Sequence, residues 1–154
     1  MSSLLLGHQP IFTIAAELEA VVTLGRTPYG ERRFVGITGG TVRGPKLNGR
    51  ILPGGADWQI VRTDTAADIE ARYIIEAESG ARILVNSAGL RHGPPEVLEQ
   101  LARGDKVDPA LYYFRTVMRF ETADPAADWL NRILALARGE RAARSVRLEV
   151  YEVF

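Results

Sequence analysis

Apolar and polar residues change places at every second position along most of this chain, and that period admits few folds. From 69 to 78, Ile69, Ala71, Tyr73, Ile75 and Ala77 fall on one side, opposite Glu70, Arg72, Ile74, Glu76 and Glu78. From 111 to 121, Tyr112, Phe114, Thr116, Met118 and Phe120 share an apolar face, opposite Leu111, Tyr113, Arg115, Val117 and Arg119. Successive side chains of a strand point to opposite faces, so each run reads as a strand with one face in a core.

The same period recurs along the chain. Residues 11–24 place Phe12, Ile14, Ala16, Leu18, Ala20, Val22 and Leu24 on one face, as one long strand. The turn GRTPYG (25–30) leads into a second strand over 31–43, with Gly39-Gly40 as a bulge or a place of close backbone approach. Strands are also expected at 50–52, 57–63 and 81–87, the last joined to 69–78 through Ser79-Gly80. Residues 145–153 are a further strand, paired with 131–138, whose own pattern fits strand or helix. The period changes at PPEVLEQLARG: Val97, Leu98 and Leu101 lie at helical spacing, proline suits the first turn and Gly104 the stop, which predicts a helix over 95–103. DPAADWLN (124–131) reads as a turn that plugs a barrel end with Trp129. Seven or eight hairpin-linked strands and one short helix imply an all-β fold, an antiparallel β-barrel in a single domain over 1–154. Closure hides sheet edges, and a barrel of this size can hold a small ligand.

Composition excludes several function classes. Nineteen basic and nineteen acidic side chains cancel, leaving no electrostatic footprint for nucleic acid or an anionic membrane. Little net charge also means little repulsion between copies, so a homodimer is compatible with the chain. There is no cysteine, which removes disulfides and thiolate chemistry. Only two histidines are present, which disfavours a histidine-rich metal site. No cofactor motif of the Walker, dinucleotide-glycine or HExxH type occurs, nor a nucleophile elbow. The first residues lack the charge and apolar length of a signal peptide, and the expected location is cytoplasmic.

Candidate functional residues fall in three groups. GPKLNGRILPGGADW (44–58) bends the chain with glycine and proline and delivers Asp57 and Trp58 onto a strand, so only one of the two can face inward. A luminal Asp57 would have its pKa raised by burial, which suits a general acid or base; in the alternative, Trp58 is core and Asp57 ties the loop. Arg91 and His92 lie in NSAGLRHGPP, read as a loop, where His92 either titrates in function or orders the turn. Arg72 with Tyr73, and Tyr113 with Arg115, offer guanidinium forks and hydroxyls for a carboxylate or enolate, or else form a solvated strand face.

The ordered segments TGG (38–40), GRILPGGADW (49–58), ARY (71–73), GLRHGPPEVL (89–98), YYFRT (112–116), RFET (119–122) and DWLN (128–131) resemble the bacterial and fungal family known as domain of unknown function 3237. The resemblance runs over nearly the whole chain. It implies a β-barrel and supplies no activity or catalytic residue. The expected function is to bind a small carbonyl or aromatic compound in the barrel mouth. Acid/base chemistry of isomerase, cyclase or hydrolase type would rest on Asp57 and His92, with Trp58, Arg72, Tyr73, Arg91, Tyr113 and Arg115 binding the substrate. Such an enzyme needs Asp57, His92 and Arg115 to share one cavity. The alternatives are a non-catalytic ligand-binding barrel and a structural oligomer subunit.

Overall fold

A computed structural model describes residues 5–154; the start of the leucine run at Leu4 lies outside them. Ten strands form one antiparallel sheet: β1 (Phe12–Leu18), β2 (Val22–Thr27), β3 (Gly30–Arg43), β4 (Gly49–Ile51), β5 (Gly55–Val61), β6 (Ala67–Ala77), β7 (Arg82–His92), β8 (Tyr113–Thr122), β9 (Leu134–Arg141) and β10 (Ser145–Val153). Helix α1 (Pro95–Ala102) joins β7 to β8, and a 3-10 helix over Pro125–Arg132 joins β8 to β9. Around the barrel the order is β3, β5, β6, β7, β8, β9, β10 and β1, and the β1–β3 pairing closes the ring. Eight strands complete the barrel, with β2 and β4 additional to it, so the closed antiparallel fold expected from the period is present.

Two breaks shape it. The expected strand 11–24 divides at Glu19–Val21 into β1 and β2, which pair with different halves of the long β3. Beyond the break β2 leaves the barrel, and its Val22 and Leu24 are exposed. Periodicity reads straight through such a break, because the alternation of side chains continues while the hydrogen-bond partner changes. The second break lies in the glycine-rich stretch. β4 and β5 both sit between β3 and β6, β4 beside Thr41–Val42 and β5 beside Glu31–Ile37, so they are one strand position interrupted at Leu52–Gly54. Gly54 turns this corner at φ 105°, a left-handed conformation that glycine tolerates.

The Gly39-Gly40 expectation holds in both its forms. Glu17 opposes Gly39 while Leu18 opposes Ile37, leaving Thr38 as the extra residue of a bulge. A Cβ on Gly40 would meet the Ala15 carbonyl oxygen at 2.1 Å. Strand 131–138 resolves as β9, and β7 runs on through Arg91 and His92, so these two end a strand rather than occupy a loop.

The core fills the barrel from the inward stripes: Phe12, Ile14, Val35, Ile75, Ile83, Val85, Met118 and Val150 are fully buried. Each such side chain contributes about 1.5–3 kcal/mol on leaving water. β7 and β8 are antiparallel, so the elements that follow them lie at opposite ends. At one end the 3-10 helix inserts the buried Leu130 and packs Trp129 on the core, as the plug reading expected. At the other, α1 lowers Val97 and Leu101 onto the rim but leaves a mouth beside them.

Candidate functional site

Strand register decides which polar groups enter the barrel. Gln59 is 2% exposed, so β5 turns Gln59 and Asp57 inward and Trp58 outward. Trp58 is 45% exposed and meets Phe34 edge-on at 4.7 Å between ring centres. This settles the Asp57/Trp58 alternative: Asp57 is luminal and Trp58 is an outer-wall side chain. Arg33 on β3 pairs with Gln59, and Arg91 on β7 enters beside Ala67 of β6. Arg141, at the end of β9, completes the group.

These residues surround a cavity of about 730 Å³ under α1. Its polar lining includes Arg33, Gln59, Arg91 and Arg141, and its apolar lining includes Val61, Ala67, Pro95, Leu98 and Leu101. Arg33 donates to Gln59 Oε1 at 2.9 Å, and Gln59 Nε2 donates to Asp57 Oδ2 at 2.7 Å. The second carboxylate oxygen of Asp57, the Nε of Arg33 and the hydroxyls of Tyr73 and Thr116 are buried without a hydrogen-bond partner. Buried polar groups are rarely left so; of these, Arg33 lines the cavity, the Asp57 oxygen lies one hydrogen bond behind its wall, and Tyr73 is near enough to feel the Asp57 charge. Gln59 stands between Asp57 and the cavity.

Burial raises the Asp57 pKa above the ordinary carboxylate value, and it outweighs the Gln59 hydrogen bond and the nearby charges of Arg91 and Arg141. Burial likewise raises the Tyr73 hydroxyl, reinforced by the Asp57 charge, so Tyr73 stays a neutral donor. Burial pulls Arg91 down to about 10, assisted by the like charges of Arg141 and Arg33. Arg141 is lowered by burial first, against the attraction of Asp57. The Arg91 guanidinium lies over the Phe114 ring, 5.5 Å from its centre, and Tyr112 Oη accepts the Arg141 backbone N–H at 2.9 Å, which anchors the end of β9.

Of the residues singled out in the sequence, Asp57, Tyr73 and Arg91 meet inside the barrel. Arg72 does not: it is exposed, because its neighbour Tyr73 takes the inward face. His92, Tyr113 and Arg115 form a separate group on the outer wall. His92 stacks on Tyr113 with ring centres 4.9 Å apart, and the Arg115 guanidinium lies 5.3 Å from the centre of the same ring. Tyr113 and Arg115 line a shallower outer hollow of about 550 Å³ with Leu90, Val117, Leu136 and Tyr151. The common cavity expected for Asp57, His92 and Arg115 is therefore absent, and the enzyme that required those three residues together fails with it; β7 carries Arg91 inward and His92 outward by the alternation of one strand, which leaves Asp57 as the one acid or base candidate of that set inside the barrel. Arg33, Gln59 and Arg141 are site residues that the sequence reading passed over. Each sits on an inward stripe, Arg33 with Val35 and Ile37, Gln59 with Asp57, and Arg141 with Ala135, Ala137 and Gly139. A lone polar group on such a stripe was the available signal. Among the described residues no group of three or more His, Asp or Glu side chains is placed to hold a metal ion.

The sequence and the fold are both similar to those of known proteins. The protein is 42% identical over 143 residues to a UPF0311 protein of Rhodopseudomonas palustris, covering 93% of this chain and 94% of that one. It is 44% identical over 143 residues to a UPF0311 protein of Bradyrhizobium diazoefficiens, covering 93% of each. The crystal structure of a conserved Rhodopseudomonas palustris protein of unknown function superposes with a TM-score of 0.92 at 40% identity over the full length of both chains. A β-barrel-like protein of Acinetobacter baumannii superposes at 0.84, with 41% identity over 99% of each chain. An enzyme from Penicillium herquei shares the fold at a TM-score of 0.73 and 17% identity, over 100% of this chain and 98% of that one. The profile of the family described as protein of unknown function (DUF3237) matches residues 7–153, and the chain belongs to that family.

Proposed function

We propose that the cavity under α1 binds a small carbonyl or aromatic compound and that Asp57 exchanges a proton with it. The observation that carries this reading is a buried carboxylate with one unpartnered oxygen, one hydrogen bond behind the wall of a cavity lined by guanidinium groups. The raised pKa of Asp57 brings it toward the range in which a carboxylate serves as base and then as acid. In the step envisaged, Gln59 turns aside and Asp57 takes a proton from the carbon beside a carbonyl. The electron pair of that C–H bond moves to the carbonyl oxygen, where Arg91 or Arg141 holds the developing charge. Return of the same proton to the far end of the conjugated enolate of a β,γ-unsaturated ketone, with the oxygen's electron pair re-forming the carbonyl, completes an isomerisation that shifts the double bond.

A second reading is a barrel that binds without reacting, and Gln59 favours it by screening Asp57 from the cavity. One experiment separates the two. The protein is incubated in deuterated water with cyclic and aryl ketones, and exchange at the acidic carbon is followed by NMR. The enzyme reading expects exchange above the buffer rate, falling on the order of 100-fold or more in Asp57→Asn. Exchange at the buffer rate, or an Asp57→Asn variant as fast as wild type, leaves the binding reading in its place.

A further inference from the structure

Charge is distributed unevenly between the molecule and its cavity. The chain as a whole is neutral, yet Arg33, Arg91, Arg103, Arg141 and Arg144 line the cavity and Glu99 is the single acid of the lining. Arg103 is paired with Asp105 at 3.0 Å. Among the described residues, the guanidinium groups of Arg91 and Arg141 donate no hydrogen bond to a protein acceptor and make no ion pair, although β7 and β9 hold both at the cavity. Arg33 spends one nitrogen on the neutral Gln59 and keeps its Nε buried and unpaired. Asp57 is the one carboxylate inside this group, and one of its oxygens, Oδ2, is taken by Gln59. Three cations thus surround one buried carboxylate: the Arg33 Nε is buried without a partner, and Arg91 and Arg141 meet the cavity rather than a protein acceptor, a setting in which a charge gains by being paired. A neutral carbonyl, such as the Gln59 amide offers Arg33, relieves only part of that cost. A fixed negative charge relieves more, with the planar fork of arginine matched to two oxygens. Val61, Ala67, Pro95, Leu98 and Leu101 make the remaining wall apolar, so the rest of the ligand is hydrocarbon-like.

We infer that the natural ligand is an organic acid: an apolar or aromatic body that lies under α1 and carries a carboxylate clamped by Arg91 and Arg141. This deepens the proposed function, since it names the class of compound that the same site takes. Arg144 at the mouth adds an exposed positive charge to attract such an anion.

The test uses the intact protein and three probes: 2-naphthoate, its neutral isostere 2-naphthamide, and inorganic phosphate. Binding is read by calorimetry and by the shift in Tm, at low and high salt. Naphthoate should bind at least tenfold more tightly than naphthamide and weaken as salt rises. Arg91→Gln and Arg141→Gln should each bring naphthoate down to the affinity of the amide, while Arg91→Lys retains part of the difference by keeping the charge. A Tm without ligand checks that each variant is folded, and Arg141→Gln, on a less enclosed residue, serves if Arg91→Gln is not. Equal binding of acid and amide overturns the inference. So does undiminished naphthoate affinity in both folded glutamine variants, phosphate binding as tight as naphthoate, or no binding of naphthoate at all. Asp57-dependent deuterium exchange on a neutral ketone would then leave the proposed function standing without it.

Discussion

Gln59 is the residue on which the chemistry of the site turns. Its amide links Arg33 to Asp57, and its hydrogen bond is the largest influence holding the Asp57 pKa down against burial. Replacing it with leucine keeps the bulk and removes that bond, so the Asp57 pKa should rise further. If Asp57 acts as base, the acidic limb of the exchange rate against pH should move to higher pH in Gln59→Leu. An unmoved limb would mean that Asp57 is not the group titrating. The route to Gln59 was open in the sequence, since a polar residue two places from Asp57 shares its face. Attention to the chemically reactive aspartate hid the amide that controls it. Arg72, His92, Tyr113 and Arg115 lie outside the cavity for a different reason. Residue type suggested chemistry, but alternation along β6, β7 and β8 sends them to the outer wall.

Helix α1 has two working faces, and they should separate in experiment. Val97 is buried and Leu101 packs on the core, whereas Leu98 lines the cavity and contributes less to the seal. Val97→Ala should cost about 1–2 kcal/mol in denaturant unfolding. Leu98→Ala should lower ligand affinity severalfold and leave the unfolding midpoint nearly unchanged. On β9, Gly139 lies flat against Phe114, and a Cβ there would stand 2.7 to 2.8 Å from three ring atoms. Gly139→Ala should therefore destabilise by about 1–3 kcal/mol. Because Arg91 lies over the same ring, the substitution should also weaken naphthoate binding. A stability loss with unchanged affinity would show that the ring does not position Arg91. The strands themselves were legible from period two alone. The breaks at Glu19–Val21 and Leu52–Gly54 were not, because a change of hydrogen-bond partner leaves no mark on alternation.

At the scale of the molecule, acid acts on two sets of carboxylates in opposite directions. Asp64 is held near 2 by its hydrogen bonds to Arg62, and Glu76 is held low by Arg50 and Arg82. Their folded pKa values lie below the unfolded ones, so the stability they add is present above the unfolded pKa and is lost as pH falls through the folded value. Asp64 is exposed and Glu76 half-buried at the surface, and screening keeps that loss small. Asp57 runs the other way. Its folded pKa lies above the ordinary value of 3.8, so it lowers stability once pH passes upward through the folded pKa, and the penalty vanishes below the unfolded one. Asp57→Asn should thus have a higher Tm than wild type at pH 7, by a few degrees (about 1 kcal/mol corresponds to 2–8 °C). The two curves should converge below about pH 4. A lower Tm for the variant at pH 7 would show that Asp57 stabilises the arginine group more than its own burial costs. The barrel itself was readable because most of its strands repeat one signal, though β9, whose pattern fits strand or helix, does not. The site was only half readable, because which face of a strand looks inward depends on closure by partners distant in sequence.

The barrel is sealed at one end by Leu130 and the 3-10 helix, and its cavity lies at the other, beside α1. The packed core lies between the two ends, so the cavity is a pit rather than a tube. If the site turns over a substrate, whatever leaves must pass the arginines that admitted it, product would compete with substrate for the same place, and inhibition by product should be competitive.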